Sequence, residues 1–151
     1  MKCEVVDCLP VHIREISTRL RALDAAEIQA AGMEPKAALW RSWKRSHYRR
    51  AFLVNGKVGA VGGCKGKLLD AVGEPWLLTS PEVEGAKLSF VKEARRELNS
   101  VLSVHSVLRN YVMARYTRAI GLLGFLGFAI GHMDEAVLVG KEPFLPFEMR
   151  R

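Results

Sequence analysis

Three side chains in the middle of the chain, Asp70, Glu74 and His105, have the chemistry of a general base. A carboxylate or an imidazole takes a proton from an attacking group if it reaches the reacting atom and its pKa lies near the working pH. Each of these residues could do this only if it faced a cleft. Their positions also suit a turn or the protein surface, which is the simpler interpretation. The sequence therefore offers candidate bases without selecting one.

The cysteines Cys3, Cys8 and Cys64 could in principle form a disulfide or bind a metal. They cannot all pair, and no Cys-x-x-Cys motif is present, so we expect no disulfide scaffold and a reducing compartment. Cys3 and Cys8 lie near His12, but this spacing matches no zinc finger or ribbon, which use four well-spaced ligands. We predict buried thiols and no metal site.

A basic segment that also carries aromatic residues spans residues 36–50. It holds much of the cationic excess behind the net charge of +7: Lys36, Arg41, Lys44, Arg45, Arg49 and Arg50. Trp40, Trp43 and Tyr48 lie between these cations. Such a segment can bind the phosphates of a nucleic acid and stack on its bases. Alternatively, the segment is a helix that exposes its cations to solvent and packs its tryptophans inward. The sequence favours the second interpretation but leaves both open.

The composition is that of a globular protein made and kept inside a cell. Of the 151 residues, 49% are hydrophobic and 26% are charged, which is ordinary for a folded domain. No apolar run approaches the roughly 18 residues of a membrane span. Acidic residues occupy the N-terminal stretch where a signal peptide would have its apolar core. We expect one domain, residues 1–151.

The first part of the chain alternates between strand and helix patterns. Residues 3–8 predict a short strand. Apolar residues then recur every three or four positions and predict a helix with one apolar face: Ile13, Ile16, Leu20 and Leu23. Asp24 and Glu27 resemble a capping box at the start of a second, short helix. Pro35 begins a third helix that runs to about residue 46.

The remainder of the chain predicts a hairpin and then further strands and helices. Asn55-Gly56 is the strongest short hairpin signal. The elements that follow are a strand at 76–79, a helix at 87–104, a strand at 108–114, a helix at 117–126 and strands at 133–139 and 144–149. The inward face predicted for the long helix is Leu88, Val91, Leu98, Val101 and Leu102. Pro143 and Pro146 place the last strand at a sheet edge, because proline has no N–H to donate.

The order of elements and one C-terminal motif resemble a known family. The motif is a strand end followed by an amphipathic helix that contains Ala119 and stops at Gly127-Phe128: Tyr116-Thr-Arg-Ala119-Ile-Gly-Leu-Leu123-Gly-Phe-Leu-Gly127-Phe128. This layout resembles that of the GNAT-type N-acetyltransferases. The resemblance implies an α+β fold in three layers. Its centre would be a mixed, mainly antiparallel sheet of about six or seven strands flanked by helices.

A narrower resemblance points to bacteriophage proteins. Trp76-Leu-Leu-Thr79 before a long basic helix, then Leu108-Arg-Asn110-Tyr-Val112 and the Gly127-Phe128 ending, are similar to acetyltransferase-like proteins encoded among the virion genes of short-tailed phages. The internal virion protein of that fold is one of them. This resemblance covers about residues 20–149. It implies a virion-associated or assembly component that contacts other phage proteins, located in the cytoplasm of the host cell and packaged in the virion.

The resemblance also bears on the coenzyme. GNAT enzymes bind the pyrophosphate of acetyl-CoA at a loop of the form Arg/Gln-x-x-Gly-x-Gly/Ala, ahead of a helix N-terminus. The corresponding stretch here keeps Gly85 but carries Glu82 and Glu84, which we expect to cap the following helix. A like charge about 4–5 Å from a phosphate costs on the order of 3–4 kcal/mol. We therefore expect no cofactor. If acetyl-CoA does bind, the resemblance implies contacts from Leu78, Thr79, Ser80, Gly85 and Ala86.

The resemblance finally implies an altered catalytic acid. The tyrosine that commonly protonates the departing thiolate in this family corresponds to Leu123, which cannot donate a proton. Tyr116 stands where the family has an asparagine, and it is a candidate acid if its hydroxyl turns inward. The expected function is therefore a GNAT-fold, phage-type protein with weak or absent acyltransferase activity. The alternatives are an active acetyl-CoA-dependent N-acetyltransferase with a divergent site, and a nucleic-acid-binding module that uses residues 36–50.

Overall fold

A computed structural model describes residues 2–151 of the chain. In chain order the elements are β1 (Cys3–Asp7), α1 (Pro10–Ser17), α2 (Ala22–Ala30), α3 (Pro35–Arg45), β2 (Ser46–Val54), β3 (Lys57–Lys65), β4 (Val72–Thr79), a 3₁₀ helix (Pro81–Ala86), α4 (Lys87–Leu102), β5 (Val107–Met113), α5 (Thr117–Leu126), β6 (Ala129–Ile130), a second 3₁₀ helix (Met133–Glu135), β7 (Val137–Val139) and β8 (Glu142–Arg150). The predicted helix at 117–126 and the hairpin are confirmed.

The strands form a mixed sheet of eight strands in the order β1-β2-β3-β4-β5-β8-β6, with β7 also paired to β8. Neighbouring strands are antiparallel except β4 and β5, which are parallel. That parallel pairing is limited to Val72 with Val107 and Gly73 with Leu108. Beyond these two pairs the strands diverge and leave a gap in the sheet. The predicted α+β class is confirmed, with eight strands in place of six or seven.

The β2–β3 hairpin turns where the sequence predicted it. Asn55 and Gly56 have positive φ angles of 53° and 76°, as a two-residue type I′ turn requires. The pairing of the two strands continues to Ser46 and Lys65 at the far end. The register shifts twice, between Ser46 and Tyr48 and between Phe52 and Leu53.

Helices cover both faces of the sheet and give it two main cores. Helices α1 and α3 enclose one core, whose buried members are Cys8, Ile13, Ile16, Leu39, Ala51, Val58 and Val61. Helices α4 and α5 enclose the other, in which Phe90 packs edge-on against Phe52 at 5.1 Å. None of the helices in residues 2–151 is both long enough and apolar enough to span a membrane.

The face that α4 buries is the predicted one except at the N-terminal end, since Val91 and Leu98 pack against the core as predicted. Leu88 is 89% exposed, whereas Phe90 and Ala94 are buried together with Val101 and Leu102. The helix begins at Lys87, directly after the 3₁₀ helix. The inward face therefore starts at Phe90, and Leu88, two residues earlier, lies on the opposite side of the helix.

The capping box predicted at Asp24 and Glu27 is wrong. Helix α2 begins at Ala22, with Arg21 at the N-cap position and no side-chain cap. Asp24 is therefore the third residue of the helix, and only 4% of it is exposed. Helix α1 also ends at Ser17, so the apolar spacing that continued to Leu23 spans two helices.

The prediction that the last strand lies at a sheet edge is also wrong. β8 pairs with β5 over seven residues, from Phe144 to Arg150. Its other side is covered only in part, by β7 at residues 142–144 and by β6 at residues 147–148. Pro146 falls between these two short strands, so its missing N–H removes no ladder hydrogen bond on that side.

Candidate active site

The divergence of β4 and β5 opens a cavity of about 500 Å³. Strands β2 to β5 line the cavity together with helices α2, α3, α4 and α5. Most of the lining is apolar, including Leu77, Phe90, Leu122 and Phe128. Concave, mainly apolar sites with a few convergent polar groups are typical of small-molecule binding. The polar groups of this cavity come from several elements, among them α2, β2, α4 and the start of α5.

Three charged residues on one face of α2 line the cavity: Arg21, Asp24 and Glu27. Their spacing of three residues places them above one another on the helix. The Oδ2 atom of Asp24 is buried and is the one buried side-chain oxygen or nitrogen without a hydrogen-bond partner in residues 2–151. Burial raises the pKa of Asp24 to about 6, although nearby groups (Tyr116, Arg21 and the Thr79 amide) oppose that shift.

Glu27 lies one turn further along the same face. Its Oε2 atom accepts a hydrogen bond of 2.8 Å from the backbone N–H of Met113, at the end of β5. Burial raises the pKa of Glu27 to about 7, and the negative charge of Asp24 adds to the shift. A carboxyl with this pKa exchanges its proton near neutral pH, which suits a general base. Carboxyls with raised pKa values in a cleft are typical of functional sites.

Tyr116 lies at the N-cap position of α5 and is 4% exposed. It lines the cavity next to Asp24. Burial and the neighbouring carboxylate of Asp24 raise its pKa well above the ordinary value, so the hydroxyl keeps its proton at neutral pH. The structure thus places the candidate acid Tyr116 inside the cavity. Leu123 also lines the cavity, as an apolar wall residue.

Two glutamates stand between β4 and α4, near the mouth of the cavity, and arginines compensate both. Glu82 pairs with Arg19 and accepts a hydrogen bond of 2.6 Å from the Ser80 hydroxyl. Glu84 pairs with Arg21 at 2.8 Å and also with Arg118. Neither glutamate caps α4, whose N-terminus has no side-chain cap. The prediction that they cap this helix is wrong, because they lie in the preceding 3₁₀ helix and face the arginines.

Solved structures of other proteins share this fold over nearly the whole length of the chain. It superimposes on the ribosomal-protein-S18-alanine N-acetyltransferase from Escherichia coli with a TM-score of 0.64 and 17% identity, covering 98% of this chain and 93% of that one. A GNAT-family acetyltransferase from Bacillus anthracis gives a TM-score of 0.71 at 7% identity, with 99% and 95% covered. The chain has the GNAT fold.

A third solved structure carries ligands. The spermidine N-acetyltransferase from Vibrio cholerae, in complex with CoA and spermine, has a TM-score of 0.66 at 15% identity, with 99% of this chain and 95% of that one covered. A scan against protein-family models and a search of curated proteins find no match. The likeness to solved structures therefore rests on the GNAT architecture and not on sequence identity.

The structure separates the predicted coenzyme contacts into two groups. Leu78 and Thr79 line the cavity of this GNAT fold, and the Thr79 hydroxyl accepts a hydrogen bond of 3.0 Å from Arg21. Ser80 is fully buried, and its hydroxyl oxygen lies 2.9 Å from the carbonyl oxygen of Val58. Gly85 and Ala86 are outside the cavity lining. The contacts on β4 are thus close to the cavity, whereas the others lie in the turn beyond it.

The predicted bases Asp70, Glu74 and His105 do not line the GNAT cavity. His105 is fully buried, and its Nδ1 atom lies 2.7 Å from the carbonyl of Asp70. Glu74 pairs with Lys65 at 3.6 Å. The simpler interpretation, a turn or surface position, is confirmed for Asp70 and Glu74, which are exposed, and is wrong for His105, which packs near the paired end of β4 and β5. Sequence reasoning missed Asp24 and Glu27, although their regular spacing with Arg21 was a usable signal.

The basic segment lies on α3 and β2, away from the cavity lining for the most part. Trp40 and Trp43 pack edge-to-face at 5.9 Å, and the Trp43 indole donates to the carbonyl of Cys8 at 2.7 Å. Arg49 stacks over Trp43 at 4.2 Å, and Arg50 pairs with Asp7 and Glu97. The other four cations are exposed: Lys36, Arg41, Lys44 and Arg45. The tryptophans therefore hold α3 on the sheet.

The cysteines are free and buried, as predicted. Burial raises the pKa of Cys3 to about 11 and that of Cys8 to about 12, so both stay protonated at neutral pH. His12 accepts a hydrogen bond of 2.9 Å from the Leu9 amide through Nδ1. That contact belongs to the N-terminus of α1 and does not join His12 to either thiol.

Proposed function

We propose that this protein is an acyl-CoA-dependent N-acyltransferase that acts on a primary amine. One observation carries the proposal: Asp24 and Glu27, with pKa values raised to about 6 and about 7, meet in a largely apolar cavity at the gap between β4 and β5. Buried carboxyls without full compensation are costly to a fold. Their position at the gap of a GNAT sheet is therefore best explained by chemistry there.

The residues present fit a bound acyl-CoA. The gap beyond Gly73 leaves the β4 backbone without a strand partner on the β5 side, next to the cavity. Arg21, Lys87 and Arg118 line this cavity, and the start of α4, which has no side-chain cap, favours an anion. The sequence predicted that Glu82 and Glu84 would repel the phosphates of the coenzyme. This repulsion is reduced, because both glutamates are paired with arginines. When bound, acyl-CoA supplies an activated thioester carbonyl.

The two carboxylates suit an acceptor that arrives as an ammonium ion. The unpartnered Oδ2 atom of Asp24 can accept a hydrogen bond from that ion and hold it in the cavity. Glu27, one helical turn away with a pKa near neutral, takes the proton so that the amine nitrogen becomes a nucleophile. The hydrogen bond from Met113 fixes the carboxyl in this position.

Tyr116 suits the opposite proton transfer. Its hydroxyl stays protonated at neutral pH and lies next to Asp24 inside the cavity. It can therefore donate to the departing thiolate, the role that Leu123 cannot fill. The V. cholerae protein of the same fold binds CoA and spermine, which is consistent with an amine acceptor for this chain as well.

One further proposal rests on another observation. The exposed cations of α3, Lys36, Arg41, Lys44 and Arg45, form a basic surface that makes no ion pair within residues 2–151, and we propose nucleic acid as its partner. A virion-associated or assembly role with other phage proteins, in the host cytoplasm and in the particle, stays a prediction from the sequence resemblance alone.

Acyl transfer is tested first by coenzyme binding. Acetyl-CoA at a hundred times its dissociation constant should raise the free energy of unfolding by about 2.7 kcal/mol, measured by thermal or denaturant unfolding. Transfer is then measured as CoA thiol released in the presence of primary amines, including polyamines. No stabilisation at millimolar acetyl-CoA, and no thiol release above the uncatalysed rate, would sink the proposal.

A further inference from the structure

A second cluster of reactive side chains lies outside the cavity and takes no part in the proposed acyl transfer. The side-chain ligand atoms of His47, Cys64 and His105 all lie within 4.8 Å of one another. The three residues come from β2, β3 and the connection between α4 and β5. Cys64 and His105 are fully buried, and His47 is half-buried. This grouping is the one set of three potential metal ligands in residues 2–151.

His105 is oriented as a metal ligand would be. Its Nδ1 atom lies 2.7 Å from the backbone carbonyl of Asp70. A carbonyl can only accept, so Nδ1 carries the ring proton and Nε2 carries a lone pair. That lone pair faces His47, whose Nε2 atom is 2.7 Å away. A hydrogen bond from the far ring nitrogen to a carbonyl is the usual outer contact of a metal-bound histidine.

A β-bulge brings His47 into the cluster. Ser46 pairs with Lys65 and Tyr48 pairs with Cys64, so His47 is an extra residue without a partner on β3. In a regular strand its side chain would point away from the face shared by Tyr48 and Cys64. The bulge instead directs the imidazole towards Cys64. Bulges commonly re-aim a side chain in this way at functional sites.

Gly73 leaves the space in which the thiol and the imidazole meet. A Cβ atom at this position would lie 2.6 Å from Cδ2 of His105 and 2.7 Å from Sγ of Cys64. Both distances are too short for any side chain. Gly73 is also one of the two residues through which β4 pairs with β5. The cluster is therefore packed against the junction of the two halves of the sheet.

We propose that three side chains bind a single Zn²⁺-type metal ion: His47 through Nε2, Cys64 through Sγ and His105 through Nε2. Imidazole nitrogen and thiolate sulfur are the ligands that zinc prefers. Zn–N bonds of about 2.0–2.1 Å at a tetrahedral angle separate two nitrogens by roughly 3.3 Å. The histidine nitrogens, now 2.7 Å apart, need to move by only a fraction of an ångström.

Binding has a defined proton balance. The thiol releases its proton to solvent and becomes a thiolate. The His47 ring proton that now lies between the two Nε2 atoms moves to Nδ1, which frees His47 Nε2 for the ion. Three protein ligands leave one coordination position for water. Because the ligands come from both halves of the sheet, the bound ion stabilises the fold at the β4–β5 junction.

Cobalt titration of the metal-free protein tests the proposal. We expect one Co²⁺ per chain, with a near-ultraviolet band from thiolate-to-cobalt charge transfer that Zn²⁺ removes in competition. Cys64→Ala should abolish the band. His47→Gln should weaken Co²⁺ binding at least about 100-fold, since loss of even an outer contact costs 10–100-fold. Cys8→Ala, which removes another buried thiol, is the matched control and should titrate like the wild type.

Folding of each variant is checked by circular dichroism, and half-buried His47 is the substitution expected to disturb the fold least. If Cys64→Ala does not fold, the His47→Gln titration decides. A dissociation constant for Zn²⁺ weaker than millimolar would overturn the proposal, as would a charge-transfer band that persists in Cys64→Ala. Equal affinity in His47→Gln and the wild type would also overturn it. None of these outcomes depends on acyl transfer.

Discussion

Asp24 places an ionisable oxygen in a part of the molecule where it has no partner. Burying a polar group without a hydrogen bond costs about 1–3 kcal/mol on the scale of protein mutations. The folded-state pKa of about 6 is above the ordinary value of 3.8, so the folded protein holds this proton more tightly than the unfolded chain. Asp24 therefore contributes most stability below pH 4, and that contribution is lost as the pH rises through 6.

Replacement of this carboxyl should remove that part of the pH dependence. A shift from 3.8 to about 6 corresponds to on the order of 3 kcal/mol. We expect Asp24→Asn to flatten the decline in unfolding free energy between about pH 4 and pH 7, and to be at least as stable as the wild type at pH 7. Urea unfolding across this range measures the effect. Identical pH profiles for the two proteins would contradict the assigned pKa.

Glu27 should control the rate of acyl transfer. If it is the base, kcat/KM rises with pH through its pKa of about 7. Glu27→Gln should lower kcat/KM by roughly 10²–10⁴-fold and remove this rise. Glu74→Gln is the control, because Glu74 is a carboxylate outside the cavity. A rise near pH 7 that survives in Glu27→Gln would assign the base to another group.

At the scale of elements, the sequence predicted which segments are helices and which are strands better than it predicted which way their side chains face. The hairpin at Asn55-Gly56 and the helix ending at Gly127 depend on local backbone geometry, and both were predictable. Gly127 has a φ of 103°, which a glycine adopts without strain. Whether Asp24 caps a helix or faces a cavity depends instead on where α2 begins and on what packs against it.

The 3₁₀ helix before α4 gives a test of the coenzyme site. Glu84 pairs with Arg21 and Arg118, two cations that line the cavity. Glu84→Gln should leave both free for phosphate and tighten acetyl-CoA binding several-fold at low salt. Arg118→Gln should weaken binding. Calorimetric titration measures both changes, and weaker binding by Glu84→Gln would mean that this carboxylate positions the arginines usefully.

The exposed face of α3 makes a separate prediction about nucleic acid. The triple variant Arg41→Gln, Lys44→Gln and Arg45→Gln should reduce the slope of log affinity against log salt by about 3, if each cation contacts one phosphate. Fluorescence anisotropy with a labelled oligonucleotide measures that slope. An equal loss of charge elsewhere, by neutralising the exposed Lys67, Lys92 and Lys141, is the control. Equal effects of the two triple variants would mean nonspecific attraction.

At the scale of the whole molecule, the gap between β4 and β5 should report on ligand binding. Backbone amides exchange their hydrogens with solvent when the structure around them opens locally. A ligand that binds the closed form makes such opening rarer and slows this exchange. Acetyl-CoA should slow exchange at residues 77–79 and at the end of β5 near Met113. The β2–β3 turn, remote from the cavity lining, should be unaffected. Uniform slowing over the chain would instead indicate global stabilisation.

The cavity itself could be predicted only in outline. The resemblance to GNAT proteins predicted the order of elements and the position of β4 residues beside the coenzyme site. It did not predict the arginine partners of Glu82 and Glu84, since Arg19 and Arg21 are about 60 residues away in sequence. The cluster of His47, Cys64 and His105 was likewise not apparent, because a bulge and a tertiary contact bring these residues together. Long-range pairing of this kind leaves no periodic signal.

The weak junction between β4 and β5 has a consequence for how the chain is made. Every member of the core under α1 and α3, including the partly buried Trp76 and Leu78 that pack against it, precedes residue 79. The core under α4 and α5 draws residues from Cys3 to Phe147. A ribosome that has released the first half of the chain has thus already released one complete core. The N-terminal sheet can fold during translation, and it then offers the edge of β4 as a template for the half still to come.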